Sequence, residues 1–228
     1  MKLENKEFGF DNFLAEMKKL KTEKHFDYLV TIIGEDFGPE EGLGCIYILE
    51  NTRTHERVSV KQLAKQVGDD YVVPSVYHVW ASSDLMEREV YDFLGVKFLG
   101  HPDMRRLFLR NDFEGWPLRK DFDMSPEKNQ FPMTDEPESD WTSEWNLNRE
   151  GEPVETKHRL FDEDDFVINF GPNHPSTHGV LRLQTVVDGE TIKHIYPHLG
   201  YIHRGMEKMM ESMTYPQTLA FTDRLNYL

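Results

Sequence analysis

The 228-residue sequence predicts an α+β protein: an N-terminal two-layer module with a mixed sheet and one layer of helices, an extended arm, then a β-hairpin leading into helices. Three observations predict it. Between residues 26 and 98, short β-branched and aromatic runs alternate with turns, without a regular strand–helix beat. From 111 to 165 the periodicity disappears, and prolines at 117, 126, 132, 137 and 153 accompany an acidic excess. From 166 onward strand patterning returns. The expected boundaries are 1–125, 126–164 and 165–228.

Taken in order, residues 8–21 form an amphipathic helix, with Phe10, Phe13, Leu14, Met17 and Leu20 at helical spacing. Residues 26–37 read as a strand through Tyr28, Val30, Ile32 and Ile33. After the turn around Gly38 and Gly42, residues 45–49 complete a hairpin. Residues 57–60 are strand, and 61–67 are expected as a short helix. Residues 71–80 are strand material broken at Pro74. Ser82 or Ser83 is expected to cap a helix through Leu94 that Gly95 terminates. In the acidic stretch, Trp116, Phe122, Phe131, Trp141 and Trp145 are too many for a free tether, so they are expected to dock an extended arm onto a partner. Residues 180–187 and 191–196 flank Asp188-Gly189 as a hairpin, followed by a Met-rich helix over 206–213. Pro216 interrupts it, and a further helical run begins at Leu219. That run is still helical at Leu228, so the last module is expected to continue and, lacking a full core, to be ordered only by other chains.

Composition narrows the function. The hydrophobic fraction is 38% and the mean hydropathy −0.63, and no run approaches the ~18 apolar residues of a membrane span. The first residues lack the apolar centre of a signal peptide, which points to the cytoplasm. One cysteine, Cys45, excludes a disulfide framework, a thiolate-held iron–sulfur cluster and a Cys-based zinc site. A net charge of −15 argues against nucleic acid, and residues 111–166 hold 17 acidic against six basic side chains.

Two motifs carry chemistry. The first joins Glu87-Arg88-Glu89 to Asp92, Gly95 and His101-Pro102, with Arg105 and Arg106 beyond. Arg88 and Asp92 stand four apart on one helix, so they are expected to pair. Two acids beside an arginine can act as general acid and base; the other reading is a structural charge network tying helix to loop, with a subunit interface as one setting for it. The second motif is Gly171-Pro172-Asn173-His174-Pro175-Ser176-Thr177-His178-Gly179, a stiff loop between apolar runs. His174 and His178 have metal-ligand spacing only on a helix, which Pro175 and the glycines oppose. Structural histidines are the alternative, and no metal site is assigned.

Residues 87–107, with Val73-Pro74-Ser75-Val76 and 115–122, resemble the signature of the C-type peripheral subunit of respiratory complex I, the thirty-kilodalton class of NADH:quinone oxidoreductase. The resemblance spans roughly residues 10–125 and implies a cofactor-free α+β scaffold whose tail wraps a neighbour. Residues 169–183, 197–208 and 222–228 are similar to the start of the D-type subunit, the forty-nine-kilodalton class related to the nickel–iron hydrogenase large subunit. Together they resemble a fused C/D subunit whose D part is only begun. What this resemblance implies is a peripheral-arm protein on the cytoplasmic side of the bacterial inner membrane. It would take part in proton-translocating reduction of quinone by NADH. By position, His178 and Tyr227 bind the quinone headgroup, and Arg204 lies near the terminal iron–sulfur cluster of a partner subunit. NADH, FMN and the clusters are implied on partner subunits, and the quinone site is completed by a membrane partner. Asn226 departs from the aspartate usual before that tyrosine. The rival reading is a non-catalytic assembly protein using the C-type fold; a weaker third is a histidine-based metallohydrolase.

Overall fold

The structure, a computed structural model, describes residues 4–123, 125, 141–161, 165–173 and 180–225. After β1 (Glu4–Glu7) and a 3-10 turn, α1 (Phe13–Thr22) leads into β2 (Tyr28–Asp36), β3 (Leu43–Glu50) and β4 (Arg57–Leu63). These strands form a sheet of order β1-β4-β3-β2, with β1 parallel to β4 and the rest antiparallel. Then come β5 (Lys65–Val67), β6 (Asp70–Pro74), α2 (Ser83–Leu94) and β7 (Val96–Leu99). They are followed by β8 (Trp141–Leu147) and β9 (Pro153–Arg159), giving a mixed sheet of order β5-β6-β7-β8-β9. A third, antiparallel sheet comprises β10 (Phe166–Asn173), β11 (Leu181–Asp188) and β12 (Thr191–His198), before α3 (Met206–Glu211) and α4 (Tyr215–Leu225).

The predicted helical layer is present. Alternation along β3 sends Cys45, Tyr47 and Leu49 to one buried face. Phe13 of α1 meets Tyr47 there, with ring centroids 5.3 Å apart. Gly34 pairs with Cys45 across the ladder and so points to the same face, where Val90 and Leu94 of α2 close over it. Both helices therefore cover one side of the first sheet. Val60, Val73, Val76, Val96, Phe98 and Met104 also belong to the core.

Some expectations change. Residues 61–63 and 65–67 are strand, the first extending β4 against β3 and the second pairing with β6; ladder bonds override local helix propensity. Ser82 precedes α2 without a side-chain cap bond, whereas Gly95 ends it as predicted with φ 71°. The stretch read as an arm on a partner holds, over 141–159, a hairpin docked on the chain's own sheet. Gly100 N–H donates to the Trp145 carbonyl at 2.9 Å, and Met104 N–H to that of Ser143 at 2.8 Å. Lys97 Nζ lies 3.4 Å from the Trp145 ring centroid. The anchoring aromatic is real, but its partner is β7.

Residues 166–173 and 181–198 form a three-stranded antiparallel ladder with register shifts between Phe170 and Asn173 and between Val186 and Val187, and these two valines are buried within this chain. Pro216 sits in the first turn of α4 rather than breaking a helix, where its missing N–H is harmless.

A Cβ on Gly34 would lie 2.6 Å from Leu94 Cδ1 and 2.7 Å from Val90 Cγ1. Gly34→Ala should therefore push α2 off β2 and lower stability by about 1–3 kcal/mol, read as a shifted urea midpoint at unchanged slope.

Candidate functional site

The first motif folds into a buried charge network between α2 and the segment 101–119. Spacing along α2 turns Glu87, Arg88 and Asp92 inward, and all three are buried, as is His101 on the loop after β7. Glu87 Oε2 accepts from Ser75 Oγ at 2.7 Å and Oε1 from Val76 N–H at 2.8 Å. His101 Nδ1 accepts from Asp103 N–H at 3.0 Å, which assigns its proton to Nε2, 3.3 Å from the Asp84 carbonyl. Nε2 is also 4.0 Å from Glu87 Oε2.

The expected Arg88–Asp92 pair does not form. Arg88 reaches Asp103 Oδ2 at 3.5 Å and donates to the carbonyls of Arg105 and Arg106 at 3.2 and 3.1 Å. Asp92 Oδ2 accepts from three consecutive amides, Leu107, Phe108 and Leu109, at 3.0, 2.7 and 2.9 Å. Its Oδ1 accepts from Arg106 Nη1 at 3.0 Å. The loop outcompetes the helix neighbour because it supplies four donors where Arg88 alone could not saturate a buried carboxylate. Arg106 also donates to the Phe113 and Gly115 carbonyls at 2.9 and 3.0 Å and lies under Trp116.

Burial pushes the Glu87 carboxyl up to about 7; the nearby His101 imidazole and the bonds from Ser75 and Val76 pull it only part of the way back. Burial acts on Asp103 in the same sense, but the Arg105 hydrogen bonds and the Arg88 charge overcome it and leave that carboxyl at about 2. Burial also lowers the Arg88 guanidinium.

The remaining signature residues differ in role. Glu89 is on the outer side of α2, where partial burial and the like charge of Glu207 raise its carboxyl. Gly95 lacks space for a Cβ, which would lie 2.5 Å from the Trp116 ring, and Pro102 is exposed. Ser75, Asp103 and Arg106 join the network although helical spacing does not mark them; the Arg105-Arg106 pair after His-Pro is their visible trace in the sequence.

Arg204 is exposed on the turn before α3. Its neighbour His203 stacks on Phe93 and Phe108, at 5.0 and 5.6 Å between centroids. Beside that stack is an apolar cavity of about 230 Å3 lined in part by Leu109, Phe113, Leu118 and Phe122. His174, His178 and Tyr227 lie outside the described residues. Among the described residues, no group of three or more His, Cys, Asp or Glu could hold a metal, and no helix is long and apolar enough to cross a membrane. Cys45 is fully buried and its thiol is pushed up by that burial, away from the thiolate a cluster would need.

The first module is of the α+β class, with the buried charges of its signature held by backbone and side-chain partners inside it. The chain belongs to the family of the respiratory-chain NADH dehydrogenase 30 Kd subunit, matched over residues 9–128. It is similar to the NADH-quinone oxidoreductase C/D subunit of Phocaeicola vulgatus, 49% identical over 213 residues, 93% of this chain and 40% of that protein. The C/D protein of Bacteroides thetaiotaomicron is 48% identical over 222 residues, 93% and 42% of the two chains. The chain thus spans about two fifths of the length of these relatives. Among solved structures, a chain of the membrane-bound sulfane sulfur reductase, an archaeal respiratory membrane complex, aligns with TM-score 0.50 and 26% identity. That alignment covers 60% of this chain and 84% of that one.

Two outcomes follow from the network. Asp92→Asn places an amide among four donors and should cost about 3–5 kcal/mol in urea unfolding. For Glu87, the folded-state value of about 7 exceeds the ordinary 4.5, so the folded protein holds a proton the unfolded chain has lost. Its contribution is full below pH 4.5 and is lost as pH rises toward 7. Glu87→Gln should abolish that slope, on the order of 3 kcal/mol across the window, seen by comparing urea midpoints with pH.

Proposed function

We propose that this chain is part of the peripheral arm of a proton-translocating NADH:quinone oxidoreductase on the cytoplasmic face of a bacterial cell membrane. Residues 1–125 scaffold the arm, 126–164 link, and 165–228 begin the quinone cavity. The observation that carries the scaffold role is the saturation of Glu87, Arg88, Asp92 and His101 by protein partners inside the module. The similarity to C/D relatives over 93% of the chain supports the assembly.

At the quinone, His178 and Tyr227 supply a hydrogen bond to each carbonyl and protons as electrons arrive, since an imidazole and a phenol both donate. Without such donors the reduced headgroup would be costly in a dry pocket. NADH, FMN and iron–sulfur clusters belong to partner subunits, because one buried cysteine cannot hold a cluster. Arg204, exposed on its turn, faces the partner that carries the terminal cluster, and the quinone site is closed by a membrane partner.

In the assembled membrane enzyme, His178→Ala and Tyr227→Phe should each lower NADH-driven quinone reduction roughly tenfold to a hundredfold. Reduction of a water-soluble acceptor upstream of the quinone should be unchanged. Quinone reduction at the native rate in both variants would remove the assignment.

A further inference from the structure

Among the described residues, the two signature regions of this chain meet beside the network described above, which builds one side of the contact. Asp92 draws in the amides of Leu107, Phe108 and Leu109, which fixes Phe108 beside Phe93 of α2, with centroids 5.6 Å apart and planes 20° from parallel. The pair is an aromatic shelf. On it sits the turn that follows β12. His203 stacks on Phe93 at 5.0 Å and 26°, and the ring is held by Gly205 N–H donating to its Nδ1 at 3.3 Å. Gly200 lies against Phe108, where a Cβ would be 2.1 Å from the Phe108 carbonyl oxygen, and its φ of +88° disfavours a side chain in any case. Lys208 Nζ donates to the Arg119 carbonyl at 2.7 Å. The chemistry is therefore threefold: a bare glycine for close backbone approach, an imidazole for the shelf, and an ammonium for a backbone carbonyl.

The shelf and the turn differ in origin. Phe93, Phe108 and Arg119 lie within the 9–128 family match, whereas Gly200, His203 and Lys208 lie outside it. Without the later region, Phe93 and Phe108 of this chain would be uncovered.

We propose that this shelf is a recognition surface for the Gly200-to-Lys208 turn, and that the Asp92–Arg106 network serves to hold it, so that the two modules bind each other there whether or not they share a chain. The partner it fits is a glycine–histidine–lysine turn opening a helix. The proposal stands apart from the quinone reading, since every contact it uses is within this chain.

Gly200→Ala should evict the turn without touching the core. In the full chain, amide hydrogen exchange over 199–208 should rise at least about tenfold while β3 and β4 keep their protection. The emptied shelf should then bind a labelled synthetic peptide of residues 197–211, measured by fluorescence anisotropy, whereas the native chain, already occupied, should not. The peptide carrying His203→Ala should bind the Gly200→Ala chain about tenfold or more weakly, and His203→Phe, which keeps a ring, should restore binding. Unchanged exchange in Gly200→Ala, equal binding of the native and His203→Ala peptides, or failure of the native peptide to bind the evicted chain would each overturn the proposal.

Discussion

The course of the segment that follows β7 depends on how the Asp92 carboxylate is satisfied. A carboxylate with no solvent contact must find donors or lose its charge. Asp92 finds them in three successive backbone amides and one guanidinium, all contributed by residues 106–109. A segment without helix or strand hydrogen bonds of its own is thus given one conformation by a single side chain. Arg106, oriented by the same carboxylate, reaches on to the carbonyls of Phe113 and Gly115 and carries the order further along the chain.

The second half of the network, Glu87 with His101 and Arg88 with Asp103, works in the same way on the preceding turns. Ser75 and Val76, after β6, are bound to Glu87, while Asp103 is bound to Arg88, Arg105 and Thr142 of β8. Each charge joins elements distant in sequence. Buried pairs of this kind add little net stability, but they penalise any arrangement that leaves one partner alone, and so they select a single geometry. An aromatic shelf capable of recognising another module requires such selection, because stacking contacts are sensitive to small displacements.

The distribution of apolar burial separates the two regions. The buried core residues of α1, α2 and the first two sheets lie within the first 107 positions, and beyond 165 the buried hydrophobic residues are Val186 and Val187 among those described. On the third sheet Phe166 is 67% exposed and Ile192 55%, and Tyr215 of α4 is 92% exposed. These elements are well formed by their ladders and helix bonds but bury little apolar surface, in keeping with relatives that run to more than twice this length.

The sequence by itself determined the elements whose cause is local. Alternation set β2 and β3, helical spacing set α1 and α2, Gly95 set the end of α2, and the Asp188-Gly189 turn set the last hairpin. The signature also disclosed which residues matter, since Glu87, Arg88, Asp92 and His101 do converge. Only the tertiary structure decided how they pair. Spacing placed Arg88 beside Asp92, yet a buried carboxylate takes the partners that saturate it, and those came from a loop fourteen to seventeen residues away. Residues 61–63 and 65–67 became strand and Trp145 an internal anchor for the same reason: ladder bonds and a cation over a ring are contributed by chain segments that local patterning cannot see.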